Sequence, residues 1–237
     1  MAKMGDQSFA HIKQQKPVSH NRRMKQFVGC VVHALTRAVG PPPHSGGHWN
    51  VAVFKADQTV NAFALPGGNI GVYSGIFKVA HTQGQLATVL GHEIGHVEAG
   101  HIDARLSTAY AAKTGVQLLA ALSGAAQNAN RQRIMALMGL GAQVGIVLPF
   151  SRAQESEADQ LGLRYMAKAG FDPHQAIRLW QNMKSAGQSQ PPQFLSDHPS
   201  KENRIANLKR HLPQAKRLYH HARVAGHRPD CGRAPSV

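Results

Sequence analysis

Acidic and aromatic residues are both scarce in this chain of 237 residues. Only 12 Asp and Glu oppose 27 Lys and Arg, so the net charge is +15, and aromatic residues make up only 6%. No aromatic residues alternate with basic ones in a nucleic-acid-binding pattern, so no nucleic-acid partner is expected. The flanks 1–50 and 201–237 carry 13 of the 15 net charges. The middle is therefore nearly neutral, and the basic ends are either solvated or in contact with anionic lipid or another acidic surface.

Cysteine is limited to Cys30 and Cys231, which allow one disulfide or two free thiols and do not fix the compartment. An apolar leader is also lacking. Phe27 to Cys30 loosely resembles a lipoprotein cleavage site, but the preceding residues are polar and basic, which excludes that interpretation. No signal peptide is visible at Met1, so we expect either a cytoplasmic protein or a chain whose leader is missing.

A chain of this length can form one large domain or at most two small ones, and we predict a single domain over residues 1–212, followed by a loose basic tail over 213–237. Alternating residues predict a small sheet within 48–74, with strands over 49–54, 58–64 and 70–73. The predicted helical segments are 1–40, 82–100, 116–149, 152–168 and 173–212.

The segment 134–150 is almost wholly apolar, but it is short and rich in glycine for a membrane span. A buried helix or hairpin is the favoured interpretation. A lid or a membrane-resting segment is the first alternative, and a true membrane span is the second.

The predicted helix 82–100 contains an H-E-x-x-H motif at His92, Glu93 and His96. Two histidines four residues apart lie one turn apart on the same face, so both imidazoles can bind one metal ion. The glutamate between them is placed to accept a proton from a water activated by that metal. Thr82 and Gln85 are typical of a capping box that opens this helix.

Such a site needs a third protein ligand. His101 is one candidate, but the extended zinc motif H-E-x-x-H-x-x-G-x-x-H would place Gly at 99 and His at 102, where this chain has Ala99 and Ile102. On a continued helix His101 would also point away from His92. We expect His101 to be a hydrogen-bonded structural histidine.

The second candidate is the acidic run that opens the predicted helix 152–168. Glu155 and Asp159 share one face there, while Glu157 lies on the opposite face and is expected to be solvated. Glu155 could therefore bind the metal, and Asp159 could accept the free ring N–H of a ligating histidine.

Four blocks resemble the HtpX/Oma-like zinc metallopeptidases, peptidase family M forty-eight: residues 61–68, 92–96, 155–159 and 197–199. The resemblance implies an α+β, mostly helical gluzincin fold with a small sheet beside the H-E-x-x-H helix. It implies zinc held by His92, His96 and Glu155, with Glu93 as the catalytic base and Asp159 at the family's aspartate position. The subgroup most similar is the bacterial periplasmic YggG/LoiP-like members, which implies a periplasmic or outer-membrane-associated protein.

These features together predict a zinc endopeptidase that cleaves unfolded or misassembled proteins, in envelope quality control. The resemblance places Asn61 to Ala64 on a strand that borders the cleft, where an extended peptide could pair with the strand edge. His198 could occupy the open zinc position and keep the enzyme latent, or it could be an ordinary loop residue. The rival classes are a non-catalytic chaperone or assembly factor and a basic membrane-surface adaptor.

Overall fold

The protein is mainly helical with one small sheet, which confirms the predicted fold class. The fold is described from a computed structural model that places residues 1–43, 47–108, 150–187, 192–199 and 203–237. In chain order, the named elements are α1 (Ala2–Gln15), α2 (Arg22–Val39), β1 (Asn50–Phe54), β2 (Ala62–Leu65), β3 (Asn69–Tyr73), a 3-10 turn (Ser74–Lys78), α3 (Gln83–Glu98), α4 (Arg152–Lys168), α5 (His174–Ala186), α6 (Gln193–Asp197) and α7 (Arg204–Val224). Residues 101–108 are also helical.

The three strands form one sheet in the order β1-β3-β2. β1 runs parallel to β3, and β2 runs antiparallel to β3. The turn between β2 and β3 contains Gly67 and Gly68, whose φ angles of 85° and 83° favour glycine because they lie in the left-handed region. Because β3 lies between the other two strands, β2 is an edge strand of this sheet. Helix α3 packs beside β2.

The N-terminal region forms two helices, and the prediction of one helix over 1–40 was wrong. Lys16 is extended because the proline that follows it disfavours helical backbone in the preceding residue. Val18 then pairs with Phe54 in an isolated bridge. A new helix begins after Asn21, whose side chain accepts a hydrogen bond from the Met24 N–H at 3.0 Å.

The second strand is shorter than the predicted 58–64. A turn closes at Thr59, whose N–H donates to the Ala56 carbonyl. Asn61 then accepts the N–H of its own neighbour Ala62 through its side-chain oxygen at 2.9 Å. Local side-chain bonding of this kind competes with strand pairing, and β2 begins only at Ala62.

Helix α3 lies in the centre of the main core and is buried from Gly84 to Val97. The Thr82 side chain accepts the Gln85 N–H at 3.2 Å, as the capping motif predicted. In a standard capping box the Gln85 side chain would accept the N–H of Thr82. Here it accepts the N–H of His81 instead, at 2.7 Å. Because every face of α3 contacts protein, its polar side chains must find partners inside the fold.

Helices α3 and α4 approach each other unusually closely. A Cβ placed on Gly162 would lie 2.7 Å from the backbone nitrogen of His92, and one placed on Gly95 would lie 3.0 Å from the Ala158 carbonyl oxygen. Gly91 and Gly95 of α3 leave room for this approach. The contact brings the histidines of α3 opposite the carboxylates of α4.

Residues beyond 212 are ordered, and the prediction of a loose tail was wrong. Helix α7 continues through Pro213 to Val224 because Ala215 and Ala222 are buried, while Lys216 and Arg217 project to solvent. Cys231 forms a disulfide with Cys30 of α2, with a Cα–Cα distance of 5.6 Å. The Cys231 N–H also donates to the Gln83 side chain at 2.8 Å, so the C-terminal segment supports the first turn of α3.

The predicted helical segment 116–149, and nearly all of the apolar segment 134–150, fall outside the described residues. Within the described parts of the chain, no helix is both long and apolar enough to cross a bilayer.

The close contact of α3 and α4 predicts a specific response to Gly162→Ala. The added methyl group meets backbone, so we expect the free energy of unfolding to fall by about 2 kcal/mol and the affinity for metal to weaken. Gly29→Ala on α2 is the matched control, since nothing lies within 4 Å of its Cβ position. That control should be neutral or up to about 1 kcal/mol more stable. Urea unfolding measures both, and equal midpoints would contradict the packing argument.

Candidate metal centre

Helix α3 directs three polar side chains of the H-E-x-x-H motif into one cluster. His92, Glu93 and His96 are all at least 97% buried. The Nε2 atoms of the two histidines lie 3.1 Å apart, as expected for residues one turn apart on the same face. Two imidazole nitrogens this close need a proton or a cation between them, because otherwise their lone pairs repel.

Helix α4 adds carboxylates from its first two turns. A complete capping box between Ser151 and Gln154 sets the start of this helix. Glu155 and Asp159 are buried and face α3, whereas the Glu157 side chain is 60% exposed. The choice of Glu155 over Glu157 from helical periodicity thus agrees with the observed orientation of α4.

Four side chains place one potential ligand atom each within 4.8 Å of one another: His92, His96, Glu155 and His198. The Glu155 oxygens lie 3.4 Å from His92 Nε2 and 3.5 Å from His96 Nε2. His198 Nδ1 lies 3.0 Å from Glu155 Oε1 and 3.2 Å from His92 Nε2.

These separations can be compared with the ligand-to-ligand distances around a bound zinc ion. Bonds of about 2.0–2.1 Å to nitrogen and oxygen in a tetrahedral zinc site imply ligand-to-ligand separations of about 3.3 Å. The measured distances of 3.0–3.5 Å lie around that value. Imidazole nitrogens with one carboxylate are also the ligand set that zinc prefers. The residues present therefore fit a zinc ion.

The protonation of the cluster also favours a cation. Burial lowers the pKa of His92, but hydrogen bonds to the carboxylates of Asp159 and Glu155 raise it more, to about 9. Burial lowers the pKa of His96 to about 3. Burial raises the pKa of Glu155, yet its bonds to the surrounding imidazoles outweigh this effect and hold that pKa far below its usual range. The buried negative charge is thus balanced by a proton on His92, and a divalent cation can replace that proton.

Asp159 orients the first histidine of the motif. Its Oδ1 lies 2.9 Å from His92 Nδ1, so it accepts the ring N–H and leaves Nε2 free to face the cluster. This is the contact that the sequence predicted for Asp159 with a motif histidine.

Arg204 of α7 was missed by the sequence reasoning. Its guanidinium donates to Asp159 Oδ1 at 2.5 Å and lies 3.7 Å from the Trp180 ring centre. Burial raises the pKa of Asp159, but the interactions with Arg204 and His92 together lower it more, so this carboxylate stays ionised. Arg204 is one basic residue among many in a basic C-terminal region, and no local pattern distinguished it.

His198 lies on the segment that follows α6 and faces the open side of the cluster. Its Nε2 is 3.2 Å from Glu93 Oε1, and its ring stacks on Phe194 with centroids 4.7 Å apart. The segment is tied to the residues just before β2, since Asn61 donates to Asp197 at 2.8 Å and the Phe194 N–H donates to the Val60 carbonyl. The structure thus places His198 where the sequence hypothesis required it, beside the motif histidines.

The predicted peptide-binding strand borders the cluster. The Ala64 N–H points away from β3 and donates to Glu93 Oε2 at 3.2 Å. The α6 segment contacts Val60 and Asn61, the residues just before β2. The segment that carries His198 therefore contacts both the cluster and the start of this strand.

The fold and this site define a gluzincin-type metallopeptidase domain, and comparison with known proteins agrees. Residues 22–212 match the model of peptidase family M48. The chain therefore belongs to peptidase family M48, as its motifs predicted.

Curated relatives include two groups of proteases. The mitochondrial metalloendopeptidase OMA1 of Schizosaccharomyces pombe is 36% identical over 187 residues, which cover 78% of this chain and 53% of that protein. The putative beta-barrel assembly-enhancing protease of Vibrio cholerae is 31% identical over 220 residues, covering 89% and 43%. The Escherichia coli beta-barrel assembly-enhancing protease is 28% identical over 223 residues, with the same coverage. The chain spans about half the length of the curated relatives it matches.

The buried pair of Arg204 and Asp159 predicts a large effect of Arg204→Met. Loss of the cation leaves a buried carboxylate unpaired, so we expect the metal-free protein to lose about 3–5 kcal/mol of unfolding free energy in urea. Lys209→Met, at an exposed position of the same helix, should change it by less than about 0.5 kcal/mol. Adding Asp159→Asn to Arg204→Met should recover part of the loss, because no buried charge is then left unpaired. Additive losses would contradict the pairing.

Proposed function

We propose that this chain is a zinc-dependent endopeptidase that cleaves unfolded or misassembled proteins. The observation that carries the proposal is the convergence of two motif imidazoles, the Glu155 carboxylate and the Glu93 carboxylate on one buried cluster. In this proposal His92, His96 and Glu155 hold the zinc ion. The ion would supply a Lewis acid that activates water and stabilises negative charge on the scissile carbonyl oxygen.

Glu93 is proposed as the general base. It does not belong to the four-residue ligand cluster, and its carboxylate contacts the N–H of Ala64 at 3.2 Å. Burial raises the pKa of Glu93, which makes the carboxylate a better proton acceptor. Glu93 would take the proton of the attacking water and pass it to the nitrogen of the departing amine. Asp159 contributes by holding His92 in the required tautomer.

The substrate is proposed to bind as an extended peptide along the Asn61–Ala64 edge. Main-chain hydrogen bonds to a strand edge recognise the backbone rather than a particular sequence, which suits unfolded proteins. The hydrogen bond from the Ala64 N–H to Glu93 supports this binding position, because it joins the strand to the proposed base.

An envelope quality-control role, periplasmic or outer-membrane-associated, is part of the proposal. Two of the relatives named above are beta-barrel assembly-enhancing proteases. The disulfide between Cys30 and Cys231 supports an oxidising compartment, because cytosolic thiols are usually kept reduced. Contact with an anionic membrane surface stays a prediction. It is supported by Lys209, Arg210, Lys216 and Arg217, which are exposed on α7.

Glu93→Gln separates catalysis from a non-catalytic chaperone role on the same fold. We expect this variant to keep a stoichiometric zinc ion, measured by elemental analysis, and to lose casein cleavage by at least about 100-fold. Glu98→Gln on the same helix is the control and should cleave like wild type. Cleavage by Glu93→Gln at the wild-type rate would refute the proposed base. Biological complementation by that inactive variant would favour the chaperone role.

His198 is proposed to hold the enzyme latent by occupying the fourth ligand position. If the closed arrangement is populated about 90% of the time, His198→Ala should raise casein cleavage by about tenfold while zinc content stays unchanged. His174→Ala, a half-exposed histidine of α5, serves as the control. Loss of both zinc and activity in His198→Ala would instead identify His198 as a permanent ligand.

A further inference from the structure

His101 joins the second motif histidine to the protein surface. Its Nδ1 lies 3.1 Å from His96 Nδ1, and its Nε2 lies 3.3 Å from Glu157 Oε2. His101 is 5% exposed, whereas the Glu157 side chain is 60% exposed. A continuous chain of contacts therefore runs from His96 in the buried cluster through His101 to a solvent-exposed carboxylate.

The backbone explains why His101 can reach His96. On an uninterrupted helix, residues five apart differ in direction by about 140°, so the two rings would not meet. Helix α3 ends at Glu98, and Gly100 adopts a φ of 68° before the chain turns helical again at residue 101. This left-handed residue redirects the chain and brings the His101 ring back over the last turn of α3.

The contacts fix the position of each proton if His96 serves as a ligand. His96 Nε2 faces His92 and Glu155, so its lone pair is available only when the ring proton is on Nδ1. His96 must then donate from Nδ1 to His101 Nδ1, which leaves the proton of His101 on Nε2. Glu157 has only acceptor oxygens when ionised, and it receives that proton as a hydrogen bond.

The two motif histidines are thus oriented by different partners. His92 has the buried Asp159 carboxylate, which is neutralised by Arg204. The partner of His96 is the imidazole of His101, and the nearest carboxylate on this side, Glu157, lies one contact further away at the surface. The His96 ring also stacks on Phe150 with centroids 3.9 Å apart. The stacking restrains the ring plane, but it does not select the nitrogen that carries the proton.

We propose that His101 is a positioning residue that holds His96 in its metal-binding tautomer, with Glu157 as its surface anchor. The inference rests on the proposed metal-binding role of His96. His101 itself binds no metal, since both of its ring nitrogens are engaged by His96 and Glu157. Loss of such partners of ligating histidines typically weakens metal affinity by about 10–100-fold.

His101→Leu and His101→Gln test the proposal as a pair. Leucine fills similar space without an acceptor, so we expect zinc affinity, measured by competition with a chromophoric chelator, to fall by about 10–100-fold. Glutamine supplies a carbonyl acceptor for His96 and an amide donor for Glu157, so it should restore the affinity to within about threefold of wild type. The absorption spectrum of the cobalt-substituted protein should change in His101→Leu and be restored in His101→Gln. A purely structural role would lower the melting temperature of the metal-free protein without this pattern of rescue.

Glu157→Leu keeps the test decisive if His101→Leu fails to fold, because this position is largely exposed. We expect zinc affinity to fall by about three- to tenfold with no change in the melting temperature of the metal-free protein. Wild-type affinity and cobalt spectra in His101→Leu, or in Glu157→Leu if the former does not fold, would overturn the inference and leave the proposed peptidase intact. A wild-type protein that binds neither zinc nor cobalt would overturn both.

Discussion

The close approach of α3 and α4 is the constraint on which the site depends. No side chain separates the two backbones at Gly91, Gly95 and Gly162, and a methyl group on Gly162 would meet the His92 backbone. Imidazoles from one helix and carboxylates from the other therefore meet at hydrogen-bonding distance. A bulkier residue at this contact would force the two backbones apart and separate the imidazoles from the carboxylates.

The cost of burying charge explains the arrangement around that contact. An unpaired carboxylate in the core is expensive, so each buried acid faces a cation or an imidazole. Asp159 is matched by Arg204, while Glu155 lies among three histidines. The carboxylate and imidazoles of the Glu155 cluster are groups that also bind metals. Glu155 thus carries a buried negative charge that a divalent cation can neutralise.

The segment around His198 links the site to the strand edge. It contacts Val60 and Asn61, which lead into β2, and it contacts the cluster through the histidine ring. The ring of His198 therefore lies in the cluster, while the same segment is bonded to the residues that lead into β2. The C-terminal segment acts at the opposite end of α3, where Cys231 and Gln83 connect the disulfide to the first helical turn.

Local patterns were sufficient for the motif helix, its cap, the choice of Glu155 over Glu157 and the small sheet, because helical and strand periodicities depend only on neighbouring residues. Local patterns failed at Pro17, where one proline divides a predicted helix. They also failed beyond Leu212, where the burial of two alanines extends the basic helix α7 into the predicted tail. The sequence by itself determined which side chains could bind a metal. Only the tertiary structure decided that Arg204, His101 and His198 converge on them, since contacts between distant segments depend on packing that no local pattern records.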